Sequence, residues 1–246
     1  MINNEFEKYE DLKKIEDLNF ITTLQKIKKD ISDSFSPIPN RIISINLLRA
    51  MGKYQITYFY NFFWGIRNDF IKNCLNYKES IKLQQISIFF LNEIFNNIFN
   101  EISYEDMNEF IFWAYNNIFD FLTNNNNILK MGAQKIIKDI SQNIPSEAII
   151  ISLIKSLTNK NENILNYLYN CIEIYFQEFA SFGISFDYIL ESLELDEISN
   201  DKDYYMKIKK AFNILNKILQ KQGSNIEQCF EFLEEKNKPI LIDLIK

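Results

Sequence analysis

The side chains best suited to chemistry in this chain are three cysteines and several adjacent carboxylate pairs. The cysteines are Cys74, Cys171 and Cys229; the pairs include Glu105-Asp106, Asp196-Glu197 and Glu234-Glu235. The thiols are far apart and odd in number. No C-x-x-C spacing occurs, which argues against a zinc ribbon or a thioredoxin-like redox site. Each sits among apolar neighbours, as in Leu168-Tyr169-Asn170-Cys171-Ile172, and reads as a buried free thiol in a reducing compartment. Adjacent carboxylates on a helix do not converge on one point, so the acidic pairs read as structural. Glu105 and Asp106 open a predicted helix, where the dipole favours negative charge. The chain contains no histidine, which removes Ser-His-Asp and Cys-His catalysis, His-ligated metals and a histidine pH switch. Five glycines supply no G-x-G-x-x-G and no P-loop. No catalytic, metal or cofactor residue is assigned, and the chain is read as a non-enzyme that needs no cofactor and takes no small-molecule substrate.

Positioning elements must therefore carry the functional reading. The chain has 246 residues, of which 47% are hydrophobic and 15% aromatic, enough to build a core without metals or disulfides. Net charge is −6, and the halves 1–123 and 124–246 carry about −3 each. That balance disfavours a nucleic-acid binder, whose affinity rests on phosphate neutralisation. Only Arg41, Arg49 and Arg67 are arginines; the lysine, isoleucine and asparagine bias follows A/T-rich codons. The polar start Met1-Ile2-Asn3-Asn4-Glu5 lacks signal-peptide character, and no apolar run approaches the roughly 20 residues of a membrane span. A soluble, cytoplasmic protein without membrane partners is expected.

Hydrophobic periodicity is helical nearly throughout. Tyr204, Ile208, Ala211, Phe212, Leu215, Ile218 and Leu219 line one face of 203–222, with Lys207, Lys210, Lys217 and Lys221 opposite. The stripe of 161–181 is Ile164, Leu168, Cys171, Ile172, Tyr175 and Phe179. Residues 80–100 are apolar on most sides and call for neighbours on more than one face. Four prolines and five glycines argue against a β-sandwich or barrel. Pro37 and Pro39 break the helix after Ser34. Ser146 is a predicted N-cap, and Gly183 and Gly223 are predicted C-caps. About twelve helices result, in six antiparallel pairs: 9–33 with 39–53, 55–75 with 80–100, 104–123 with 128–142, 146–157 with 162–181, 184–194 with 203–222, and 225–235 with 239–246. Second members end at steps of about 39 to 47 residues, the spacing of HEAT or armadillo units. The predicted architecture is all-α, one α-solenoid domain over 1–246; a compact bundle is the alternative.

The helix pairs resemble a TOG domain, the tubulin-binding HEAT array, and most of all its CLASP and crescerin branch. The likeness covers about 20–222. Asn124-Asn125-Asn126-Asn127-Ile128-Leu129-Lys130-Met131-Gly132-Ala133-Gln134-Lys135-Ile136-Ile137 is similar to the family's third-pair N-x-x-x-V-x-x-x-G-x-x-A-I, and Pro145 stands at the following turn. Thr158-Asn159-Lys160-Asn161-Glu162-Asn163-Ile164-Leu165 is similar to S-K-N-x-x-V-R. Residues Ile38 to Leu48 are similar to W-x-x-R-x-x-A-L-x-x-L. The resemblance implies a partner-binding edge made by the loops within pairs: Pro39, Asn40, Arg41, Lys78, Lys82, Asn127, Lys130, Lys160, Asn161 and Lys207. It also implies tubulin or a cytoskeletal protein as partner, in the cytoplasm, on the spindle, a basal body or a cilium. The sequence departs from the pattern in lacking the first-loop Trp, which aligns with Pro37 to Pro39, and in placing Leu165 where an Arg usually stands. The same residues also read as solvated loop charge. Trp64 and Trp113 read as core rather than as an aromatic docking patch. A HEAT scaffold that binds a partner through its helical faces is the other reading.

Overall fold

The computed structural model describes residues 7–16, 19–78, 80–98, 102–179, 185–193, 201–223 and 233–245. They are all-helical, with no strand among the described residues. In chain order the helices are α1 (Phe20–Ser32), α2 (Ile38–Tyr54), α3 (Ile56–Phe70), α4 (Ile81–Ile98), α5 (Tyr104–Ile118), α6 (Asn127–Asn143), α7 (Glu147–Lys155), α8 (Glu162–Phe179), α9 (Phe186–Ser192), α10 (Lys202–Lys221) and α11 (Lys238–Ile245). Most bounds agree with the periodicity. The first helix is the exception. It begins at Phe20 rather than near residue 9, because Leu12 and Ile15 are the lone apolar anchors of a segment that otherwise runs charged. That segment makes one 3-10 turn, Tyr9–Asp11, and is extended at Lys8 and Leu12. The expected element over 225–235 falls largely outside the described residues, as do the Gly183 cap, Cys229 and the pair Asp196-Glu197.

The chain divides into two compact units, 1–107 with 117–136 and 108–116 with 137–246. In the first, α1 packs on α2, α1 on α3, and α2 on both α3 and α4. First members of the pairs thus touch first members, and second members touch second. In the second unit α7 packs on α8 and α9, α8 on α10, and α10 on α11, which repeats the arrangement.

Local chemistry explains the boundaries. Pro39 occupies the first turn of α2, where its missing amide proton costs no bond. Ser146 accepts from the Ala148 amide at 3.2 Å, Asp201 from Tyr204 at 3.1 Å, and Ser185 from Tyr188 at 3.4 Å. Gly223 ends α10 with φ 76, a left-handed position that suits a residue without Cβ. The seven stripe residues of α10 are the seven that it buries. α7 buries every residue from Ala148 to Ile154. α4 seals Leu83, Ile88, Phe90 and Leu91 but leaves Ile81 and Phe89 exposed. Gly132 lies so close to α4 that a Cβ there would meet Ile88 Cγ2 at 2.8 Å.

Candidate functional site

In the first unit the candidate site is built around the α1–α2 loop. An α-helix ends with carbonyls that have no partner of their own. The C-terminal carbonyls of α1 meet two buried side chains. Asn73 donates through Nδ2 to Ile31 and Ser32 at 2.9 and 3.2 Å. Arg41 donates through Nη2 to Asp33 and Ser34 at 3.1 and 2.6 Å, and through Nη1 to the Asn73 carbonyl at 2.8 Å. Its guanidinium also lies 4.6 Å from the Tyr77 ring centroid. A cation at a helix C-terminus is favoured by the dipole. Asn73 reaches α1 from a π turn, Ile71–Leu75, in which the Asn76 amide donates to the Ile71 carbonyl at 2.7 Å. Beneath the loop, buried Asp30 accepts from Ser44 at 2.9 Å and from Ser36 at 3.4 Å.

Arg41 therefore corrects the sequence reading. It is fully buried, 0% exposed, and is neither an edge residue offered to a partner nor a solvated loop charge. The spacing Arg41, Ile45, Leu48 runs i, i+4, i+7 along one helix face and was the signal for an inward side chain. Around it Pro39 is exposed and Asn40 half-buried, while Lys78 is exposed on the α3–α4 connection and Lys82 in the first turn of α4. Lys130 is half-buried on α6 and Asn127 exposed at its start. The loop tip adds a residue that sequence reasoning missed. Phe35 is 92% exposed, and its amide donates to Asp33 Oδ1 at 2.9 Å. An aromatic set between Ser34 and Ser36-Pro37, outside any stripe, was the available clue.

In the second unit the loop after α7 is held differently. Asn159 Oδ1 accepts from the Asn161 amide at 2.8 Å, and Asn161 Oδ1 from Asn163 at 3.0 Å. Such Asx turns fix a loop locally. Tyr204 donates to the Ile154 carbonyl at 3.2 Å. Lys160 and Asn161 are exposed. Lys207 is engaged within the fold: Nζ lies 2.8 Å from Asp203 and 3.3 Å from the Asn159 carbonyl, and the side chain is 15% exposed.

The groups first weighed for chemistry take structural places. Burial pushes the Cys74 thiol up to about 12 and the Cys171 thiol up to about 11, so neither is a thiolate near neutral pH. Asp106 accepts from Ser103 at 2.7 Å and from Tyr60 at 3.2 Å. Glu234 and Glu235 pair with Lys236 and Lys238. Trp64 and Trp113 are half-buried; Arg67 lies 3.7 Å over Trp64, and Phe110 5.2 Å from Trp113. Among the described residues no group of three or more His, Cys, Asp or Glu is placed to hold a metal. No described helix is long and apolar enough to cross a membrane. No family model and no curated protein matches the chain.

Proposed function

We propose that the chain is a non-catalytic, TOG-like module of HEAT-type helix pairs that binds a protein through the loops within its pairs, with tubulin or another acidic cytoskeletal protein as partner. Phe35 carries the reading. Folding leaves this aromatic in water, on a loop whose carbonyls are fixed by buried Arg41 and Asn73. Rigid aromatic anchors are the side chains that dominate binding energy. Arg41 also stacks on Tyr77, which brings the loop bearing Phe35 beside the connection that bears Lys78 and leads into Lys82 at the start of α4. Cations beside an aromatic anchor suit an acidic surface. The repeated packing of first on first and second on second members supports stacked helix pairs, and hence the α-solenoid.

Titration of the full chain into αβ-tubulin, read by calorimetry at low and physiological salt, tests this. Binding that weakens with salt is expected. Phe35→Ala should weaken it about tenfold or more, and Lys82→Glu with Lys160→Glu should reduce it further. Absence of binding at low salt would sink the tubulin reading. The scaffold reading would then stand on the exposed apolar residues of α4 and α6, Ile81, Phe89, Ile128 and Met131.

A further inference from the structure

We infer that the exposed stripes of α4 and α6 form one docking groove, and that its occupant is an acidic amphipathic helix of a partner protein. The periodicity of residues 80–100 asks for neighbours on more than one face. The fold supplies them for Leu83, Ile88, Phe90 and Leu91, yet leaves Ile81 and Phe89 at 54% and 45% exposure. With Gln85 these two follow at i, i+4 and i+8, one side of the helix. On α6, Ile128, Met131 and Lys135 follow at i, i+3 and i+7, and Ile128 and Met131 are 48% and 66% exposed. Four of the eleven large hydrophobics left exposed among the described residues thus fall on two helices, which is a concentration and not the usual scatter.

The two stripes meet at the point where the helices touch. A Cβ on Gly132 would lie 2.8 Å from Ile88 Cγ2, so α6 approaches α4 there as only a residue without a side chain permits. Ile81 and Gln85 stand two turns and one turn before Ile88 on its own face, and Ile128 and Lys135 stand one turn either side of Gly132. The exposed stripes therefore flank one line of contact, within the first unit. Charge then decides what fits. Lys82 and Lys135 are exposed, and the single carboxylate of α4 and residues 127–136, Glu93, is taken by Arg49 at 2.5 and 2.6 Å. This local excess of cations stands in a chain of net charge −6. Apolar side chains between cations suit a helix with an apolar face bordered by carboxylates, and the flexible Met131 adapts to its contour. A second copy is the poorer fit, because a two-fold axis through the groove sets the same lysines against one another. The inference rests on the scaffold reading of the helical faces and not on the tubulin reading.

The test titrates the full chain into two fluorescent, helix-stapled peptides that share one leucine face and carry glutamate or lysine on the other. Anisotropy should show saturable binding of the glutamate peptide that weakens with salt, and weaker binding of the lysine peptide. Met131→Asp should abolish binding, and Lys135→Glu should weaken the glutamate peptide about threefold while strengthening the lysine peptide. Lys82 is left intact because the loop edge shares it. Circular dichroism checks folding; if Met131→Asp does not fold, Ile128→Ala with Met131→Ala replaces it and should weaken binding about tenfold or more. Equal binding of both peptides overturns the inference while leaving the face a docking surface. Binding of neither at millimolar concentration overturns the inference and the scaffold reading together. Wild-type dimers that Met131→Asp disperses overturn it in favour of a second copy.

Discussion

The α1–α2 loop and the α7–α8 loop occupy equivalent places in their units, yet they are fastened by opposite means. The first hangs on a sealed guanidinium and a sealed carboxamide. The second hangs on Asx turns, a tyrosine hydroxyl and a lysine tied to Asp203 near the surface. The cores above them differ in the same sense. The first unit buries Asp30, Arg41, Asn46, Arg49 and Asn73, whereas the buried polar side chains described in the second are uncharged: Ser141, Ser146, Ser152 and Asn237. One topological task thus admits a polar interior solution and a local, solvent-facing one. The interior solution makes a more rigid loop and a larger penalty for any missing partner.

Replacing Arg41 should break that contrast most severely. Arg41→Leu takes the donor from one buried and two part-buried carbonyls and is expected to cost about 3 kcal/mol. Lys207→Met, its counterpart, should cost no more than about 1 kcal/mol. Urea unfolding of the two variants measures the gap. The Arg49–Glu93 pair sharpens the point. Glu93→Leu alone leaves a buried cation and should cost about 3 kcal/mol, whereas Arg49→Met with Glu93→Leu should recover most of that loss. A double-mutant cycle reads it out.

Alkaline titration probes both units together. The Cys74 and Cys171 thiols are raised above the ordinary 9.0 in the folded state, so the unfolded chain loses those protons first. Stability should be whole below pH 9 and fall as pH rises toward 11 and 12. Cys74→Ala with Cys171→Ala should reduce the slope in that window, measured by denaturation across pH. A small effect is also expected at Tyr204→Phe, which removes the hydroxyl from the Ile154 carbonyl and should cost about 1 kcal/mol in thermal melts.

Much of the fold was legible because its signals are local. The stripe of α10, the Ser146 cap and the break at Pro37 each follow from a few neighbouring residues. The site was legible only in part. Lys78, Lys160 and Asn161 are exposed in their loops, and Lys82 is exposed on the first turn of α4 rather than in a loop. Arg41 was misread because its partners, Asp33, Ser34 and Asn73, include a residue 32 positions away whose direction depends on a π turn. No short-range pattern reports such a meeting. Residues 9–16, expected as the start of the first helix, were misread for a related reason. Helical spacing of Leu12 and Ile15 fits a helix, but α2 supplies donors for their carbonyls that no local count includes. Phe35 was passed over because an exposed aromatic is visible only once everything that could have covered it is placed.

The π turn at Ile71–Leu75 has a consequence in the counting of residues. Its hydrogen-bonded ring holds one residue more than an α-helical ring does. An α-helix that gained a residue without widening would turn all that follows through about 100°. The π turn takes that residue in with little change of phase, so Cys74 and Leu75 stay sealed in the core and Asn73 stays at the end of α1. The bulge therefore behaves as an insertion that the fold has absorbed. Segment length, and not just residue type, sets where the first loop stands.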